Sequence, residues 1–500
     1  MNDQAKKSGS QRLVKDTLVY GVATVVSQMT SFILLPVYTR ALTPHDYGYL
    51  ELLQLVVDFT GLFVTMRLGE AIFRFYSGAS HPEEANRSVS TSLILALGMG
   101  LLGFAGLSAA SQPLAKYLFQ DSQAVGLLVL TGTTLLMQPL VEIPAAFVRA
   151  QQRSGVFLAF RLGSLALRVG LSLILVAKLR LGVTGAVYAN VAATAVQAVV
   201  MSLYTVHSVG IAFDRKVARQ VLGFTLPILV AAVGSYYLGF ADRYFLKAFG
   251  TLRDVGIYAL AARFAVAYFA LGFSPFEQAW DAARYHVAKE FDAVKTFQQI
   301  FRILSVTLIA LGLAISVFCH KVIDIMTASD FWAAAQIVPI LLLSYLVQIW
   351  TSYCRFGLLF TNRTKQIAVA TLVAMPIMTL AFYLLVPSLG AVGAAIGAVI
   401  GFSVRLVWTE WKSSRSYNMH LQWGLALSLL LIAVGVYCGV RLLPFDEWGK
   451  AGAGAIGLMA FSLTACLGPW LTAGDRQLVT TWLKRLATRG RPNVRASVSG

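Results

Sequence analysis

The chain has 500 residues, of which 57% are hydrophobic and only 13% charged, with a mean hydropathy of +0.69. That balance excludes an ordinary water-soluble enzyme or binding domain as a description of the whole chain. The formal net charge of +18 then reads as the charge asymmetry of membrane loops, and no nucleic-acid partner is expected.

Apolar stretches of about twenty residues, enough to cross a ~30 Å hydrocarbon core as a helix, recur along the chain. They are predicted near residues 18–39, 47–66, 89–109, 124–147, 155–177, 183–204, 221–241, 255–273, 300–319, 332–353, 367–386, 389–408, 423–440 and 451–471, about fourteen spans. Alternating strands are absent, so no barrel is expected. The first span follows Lys6, Lys7, Arg12 and Lys15 and is too long for a signal h-region, so it reads as an uncleaved helix. With the N-terminus in the cytoplasm, Arg215/Lys216/Arg219, Arg284/Lys289/Lys295, Arg355/Arg363/Lys365 and the bases from Arg476 to Arg495 all fall inside. Arg243, Lys247 and Arg253 read as an external loop that breaks this rule.

The chain also matches itself at an offset of 208 residues. Thr43-Pro44-His45-Asp46-Tyr47-Gly48 recurs as Thr251-Leu252-Arg253-Asp254-Val255-Gly256, and Leu181-Gly182-Val183-Thr184-Gly185-Ala186 as Leu389-Gly390-Ala391-Val392-Gly393-Ala394. Between them the register drifts by two, setting Arg153-Ser154 against Arg363-Thr364. Two echoes at one offset point to duplication. Six helices separate the copies, so both have one orientation and are related by an axis along the membrane normal. The expected fold is an all-α polytopic membrane protein. It has two six-helix lobes in a parallel, pseudo-twofold repeat, residues 1–210 and 211–420. Two extra helices follow in 421–475, then a basic cytoplasmic tail, 476–500, whose Arg476 to Leu486 stretch reads as an amphipathic surface helix or a solvated tail.

Ionisable groups within spans are costly and mark pathways. On the second helix, Glu51, Gln54, Asp58 and Thr65 share a face, with Asp58 near mid-span. Arg263 is equally deep in the eighth helix, and the repeat sets it against Leu55, one turn from Asp58. Asp58 and Arg263 then either face each other at a central cavity or pair locally within their own lobes. Arg161 and Arg168 share a face of the fifth helix, whereas Arg302 and Arg405 snorkel, and Asp242-Arg243 forms a local pair. The excess of deep arginine favours an anionic ligand, because guanidinium binds phosphate bidentately. The run from Arg67 to Tyr76, with Arg74 among aromatics, reads as a phosphate-and-sugar site or an interfacial belt. Its second-copy counterpart runs from Phe276 to Tyr285. Cys319, Cys354, Cys438 and Cys466 read as packing residues, and His45, His81, His207, His286, His320 and His420 as loop or helix-end residues. No metal or cofactor is assigned.

Leu35-Pro36-Val37-Tyr38-Thr39-Arg40-Ala41-Leu42-Thr43-Pro44-His45-Asp46-Tyr47-Gly48 and Glu70-Ala71-Ile72-Phe73-Arg74-Phe75-Tyr76 resemble the corresponding segments of bacterial polysaccharide flippases. These belong to the multidrug/oligosaccharidyl-lipid/polysaccharide exporter superfamily, together with lipid II flippases and multidrug (MATE) exporters. The resemblance implies a non-enzymatic, multi-pass protein of the bacterial cytoplasmic (inner) membrane with both termini in the cytoplasm. It implies movement of an undecaprenyl-pyrophosphate-linked oligosaccharide by alternating access for surface polysaccharide synthesis. Membrane lipids and the pathway's polymerase and chain-length proteins are the implied partners. Arg263 best matches the pyrophosphate-binding arginines of lipid II flippases, with Arg168, Arg161 and Arg74 as further substrate candidates. Asp58, Glu51 and Asp242 are the coupling candidates, the driver being proton, sodium or membrane potential. The competing readings are a cation-coupled drug exporter, which an acidic cavity would favour, a lipid II flippase, and a membrane polysaccharide polymerase. The last would need a large extramembrane catalytic region or an acidic metal motif, and neither is present in the sequence.

Overall fold

The computed structural model describes residues 25–26, 29–472 and 474–476. Most of the predicted tail, and the start of the first predicted span, lie outside these residues. Among the described residues, twelve helices are long and apolar enough to cross a membrane, and there are no strands. One of the twelve is really two, because Lys365–Ser414 breaks at Gly390 (φ 55°, ψ −130°). The first half of the chain contains α1 (Leu35–Ala41), α2 (Pro44–Thr65), α3 (Leu68–Ser77), α4 (Pro82–Leu114), α5 (Ala124–Gly132), α6 (Thr134–Ala150), α7 (Ser154–Ser172) and α8 (Gly182–Val209). The second half contains α9 (Arg215–Phe249), α10 (Leu252–Gly272), α11 (Ser274–Val287), α12 (Ala293–Met326), α13 (Ala334–Cys354), α14 (Phe356–Phe360) and α15 (Lys365–Ser414). Two further helices follow, α16 (Trp423–Leu442) and α17 (Glu447–Leu467).

The repeated T-x-x-D-x-G has a local and a long-range cause. Locally it is a capping box: Asp46 N–H donates to Thr43 Oγ1 (3.2 Å) while Thr43 N–H donates to the Asp46 carboxylate (3.1 Å). Thr251 and Asp254 repeat this at 3.3 and 2.9 Å. Each box supplies partners for helix-end N–H groups that would otherwise have none. The glycines serve a different purpose, because α2 and α10 cross at them. A Cβ on Gly48 would overlap the Leu252 carbonyl oxygen, and one on Gly256 would overlap that of Pro44. The contact is reciprocal, as a two-fold relation between the copies requires.

L-G-x-x-G-A also has a reason. Gly182 (φ 59°) and Gly390 (φ 55°) both adopt positive φ at the turn into the next span. Three residues on, Gly185 and Gly393 pack onto backbone carbonyls of the preceding helix, Leu175 and Leu385. The two-residue drift is preserved as well. Gln152 and Asn362 share φ 56°, and the arginines that follow them reach the ends of equivalent helices. Arg153 Nη1 donates to Tyr204 Oη (2.6 Å) and Arg363 Nη1 to Ser416 Oγ (3.2 Å).

Several spans outrun their predicted limits because a helix need not end where hydrocarbon does. α4 begins at Pro82, taking in Glu83, Glu84 and Arg87, and α12 begins at Ala293. α9 continues to Phe249, which corrects the reading of Arg243 and Lys247 as external loop charges. Arg243 is a helical, buried and ion-paired residue, so it does not count against the loop-charge rule. Arg67 to Tyr76 is largely a separate short helix, α3, turned away from α2 by two left-handed residues, Met66 (φ 45°) and Arg67 (φ 56°). Arg302 does not snorkel. Its guanidinium pairs with the buried carboxylate of Asp475 (2.9 Å), which Thr472 also caps, tying the chain beyond α17 to α12.

The largest buried core runs through both halves, joining Leu52 and Val57 of α2 to Tyr258 and Ala265 of α10. Further links sit at the end of the bundle where Thr43 and Thr251 lie. Arg40 Nη2 donates to Ile325 O (2.8 Å), and Tyr47 packs edge-on against Phe331.

Candidate functional site

A cavity of about 330 Å³ opens beside the α2–α10 crossing. It is lined by Tyr38 of α1, by Tyr47, Glu51 and Gln54 of α2, by Arg168 of α7 and by Asn190 of α8, with Thr30, Ser31 and Thr131 adding hydroxyls. Arg263 of α10 is the lining residue from the second half. The cavity is therefore built mainly within the first half, with one cation reaching in from the second.

Arg263 is held by two first-half groups. Its Nη2 donates to Glu51 Oε2 (2.5 Å) and its Nε to Tyr47 Oη (3.3 Å). The other carboxylate oxygen of Glu51 lies 3.7 Å from Arg243 Nε. Arg243 Nη1 in turn donates to both oxygens of Asp242 (2.8 and 3.0 Å), and Tyr258 Oη donates to Asp242 Oδ2 (2.5 Å). The result is a buried chain of alternating charge, Arg263–Glu51–Arg243–Asp242, in which each ion has a partner.

Arg168 differs. It lines the cavity and makes no hydrogen bond or ion pair to another described residue. Nearby, Tyr38 Oη shares a hydrogen bond with Ser172 Oγ (3.0 Å), and Gln54 Nε2 donates to Asp58 Oδ1 (2.8 Å). Of the charges lining the cavity, Glu51 balances Arg263, and nothing equally close among the described residues balances Arg168. The lining therefore carries net positive charge.

The candidate residues thus separate into groups. Arg263, Arg168 and Glu51 line the cavity, and Asp58 stands beside it through Gln54. Asp58 and Arg263 do not pair; the carboxylate that meets Arg263 is Glu51, about two helical turns from Asp58. Asp242 forms the expected local pair with Arg243, away from the lining. Arg161 packs over the Phe157 ring (5.1 Å). Arg74 is exposed and stacks over Phe224 (4.7 Å), outside the cavity. Tyr47 and Asn190 were missed from sequence, and Arg243 was read as the partner of Asp242 but not as a neighbour of Glu51. Tyr47 had a usable signal, one turn before Glu51 on the same helix, whereas Asn190 had none.

The sequence profile of the family described as polysaccharide biosynthesis protein matches residues 13–280, more than half of the chain. No curated relative matches the sequence. Among solved structures, the lipid II flippase MurJ in an inward closed conformation superposes with a TM-score of 0.70 at 12% identity, covering 89% of this chain and 98% of its own. A multidrug resistance MATE family transporter of the MOP superfamily in an inward-facing conformation gives 0.60 at 16% identity, over 78% of this chain and 95% of that one. An outward-facing structure so described gives 0.53 at 15% identity, over 81% and 96%. The helical fold is thus shared with these transporters, and the chain belongs to the polysaccharide biosynthesis protein family.

Proposed function

We propose that this protein moves a polyprenyl-diphosphate-linked oligosaccharide across the bacterial cytoplasmic membrane by alternating access. The observation that carries the reading is Arg168, an arginine on the cavity wall with no hydrogen-bond or ion-pair partner among the described residues, standing in the same cavity as Arg263. A guanidinium left unpaired at low dielectric is costly unless an anion completes it, and a diphosphate suits the planar donor fork. Hydroxyl and amide groups of Thr30, Ser31, Thr131, Gln54 and Asn190 provide donors and acceptors of the kind that bind sugars. A cavity of about 330 Å³ has room for a diphosphate and an adjoining sugar but not for a long glycan. The rest of an oligosaccharide would lie between the halves and the polyprenyl chain in the bilayer.

Residues 1–210 and 211–420 act as the moving lobes in this reading. Residues 421–475 are an addition to them, and 476–500 a basic cytoplasmic tail. Loop charge puts both termini in the cytoplasm and the Thr43/Thr251 end outward. The contacts at that end then close the outer side. The net positive lining argues against a cation-exporting relative. Nothing in the reading requires bond-making, so no enzymatic role is assigned. Arg168→Ala and Arg263→Ala should each abolish surface-polymer complementation at normal membrane levels. Export at the unsubstituted rate by Arg168→Ala would overturn the anion-site assignment.

A further inference from the structure

We infer that Glu51 is a resident counter-ion occupying the anion's place at Arg263, and that its exchange for substrate diphosphate unlatches the two halves at the Thr43/Thr251 end. This rests on the anion-site reading above and assigns Glu51 as a positioning residue that acts through Arg263.

The geometry makes Glu51 a tie between halves. It stands on α2, while both of its cationic neighbours stand in the second half, Arg263 on α10 and Arg243 on α9. It lies one turn from Gly48, where the α2 backbone rests directly on α10. The ion pair and the glycine seam therefore form one closure, polar on the cavity side and backbone-tight beside it. The Glu51 side chain is 9% exposed, but that of Arg263 is 27% exposed and lines the cavity, so an anion entering it meets Arg263 more readily than Glu51.

The two arginines are not equally bound to the latch. Arg243 has its own carboxylate, Asp242, held by two contacts within α9 and by Tyr258. Without Glu51 it keeps that partner. Among the described residues, Arg263 has only Glu51 as its close carboxylate, with the neutral Tyr47 hydroxyl beside it. A diphosphate offers more charge and more acceptor oxygens than a single carboxylate and therefore competes for Arg263 in particular. Once Arg263 turns to the anion, Glu51 retains the 3.7 Å contact with an already paired Arg243. The link between halves weakens while each half keeps its internal pairs. Binding and opening are then coupled with the same free energy in both directions, so whatever loosens the latch tightens the anion.

The test uses the full chain in lipid nanodiscs, with inorganic diphosphate as the probe and chloride holding ionic strength constant. Tyr117 and Ile325, exposed at the Thr43/Thr251 end of the two halves, are changed to Cys for spin labels, and Cys438 and Cys466 to Ser. Glu51→Gln is expected to bind diphosphate at least tenfold more tightly than the unsubstituted chain. It should also show a lengthened 117–325 distance before any diphosphate is added, whereas the unsubstituted chain lengthens only on addition. Glu51→Asp keeps the charge but shortens the reach to Arg263, so it should fall between the two on both measures. It carries the test if Glu51→Gln does not fold. Unchanged affinity and distance in these variants would overturn the exchange while leaving the anion site standing. Absence of diphosphate binding in every chain would overturn both.

Discussion

Substituting Gly48 by Ala tests whether the two halves close on a backbone seam. A Cβ there would overlap the Leu252 carbonyl oxygen and lie 2.8 Å from Gly256 N and 2.9 Å from Leu252 C, against ordinary contact from 3.4 Å. All three atoms are backbone, so relief requires α2 and α10 to part by more than half an ångström. Overpacking costs about 1–3 kcal/mol, and rigid neighbours argue for the upper end. The gain in helix propensity from Gly to Ala is the same in the open and closed states, since α2 is helical in both, and so cancels. About 2–3 kcal/mol therefore acts against the closed end, roughly a 30- to 150-fold shift in a two-state equilibrium. Spin-label distances between positions 117 and 325 should therefore reveal a longer population absent from the unsubstituted chain. Gly256→Ala should do the same, and the double variant should cost less than the sum, because one separation accommodates both methyls. Gly98→Ala, with no atom within 4 Å of its added methyl, is the control. If Gly48→Ala and Gly98→Ala gave the same distances and melting temperature, the seam would carry no closure energy and the reasoning would fail.

Three further outcomes are expected. Gly390→Ala and Gly182→Ala should each lower stability by about 1–3 kcal/mol in detergent melts, since both positions need positive φ; equal melting temperatures would show that the turns can be remade. Arg74→Ala should keep most polymer export while Arg168→Ala loses it, because Arg74 stacks on Phe224 outside the cavity; complementation levels decide. Burial pushes the Asp475 carboxyl up, but the Thr472 N–H and hydroxyl and the Arg302 guanidinium outweigh this and hold it below the usual carboxylate range. Its stabilisation is therefore complete above about pH 4 and is lost as pH falls through the lower folded value. Asp475→Asn should cost about 1–3 kcal/mol at pH 7 and flatten the acid limb of the melting profile, a change that pH-resolved thermal melts detect.

What was legible in the sequence follows how far each feature reaches along the chain. The spans could be read because hydrocarbon thickness imposes a length on every crossing helix. Their ends could not, because α9 carries Asp242, Arg243 and Lys247 onward as helix once internal partners satisfy the charges. Tyr47, one turn before Glu51, could have been found. Asn190, which comes within 3.5 Å of Gln54 from 136 residues away, had no local signal.

The sequence by itself determined the membrane class, from composition, and the duplication, from the 208-residue echo. The capping boxes at Thr43 and Thr251 and the glycine turns at Gly182 and Gly390, which the structure identified within that echo, depend on neighbours within a few residues. Only the tertiary structure decided that Gly48 and Gly256 touch each other, that Glu51 rather than Asp58 meets Arg263, and that Arg168 lines the cavity with no close partner among the described residues. The physical reason is that a helix displays several polar residues on one face, and which of them finds a counter-charge depends on where two helices from distant parts of the chain cross.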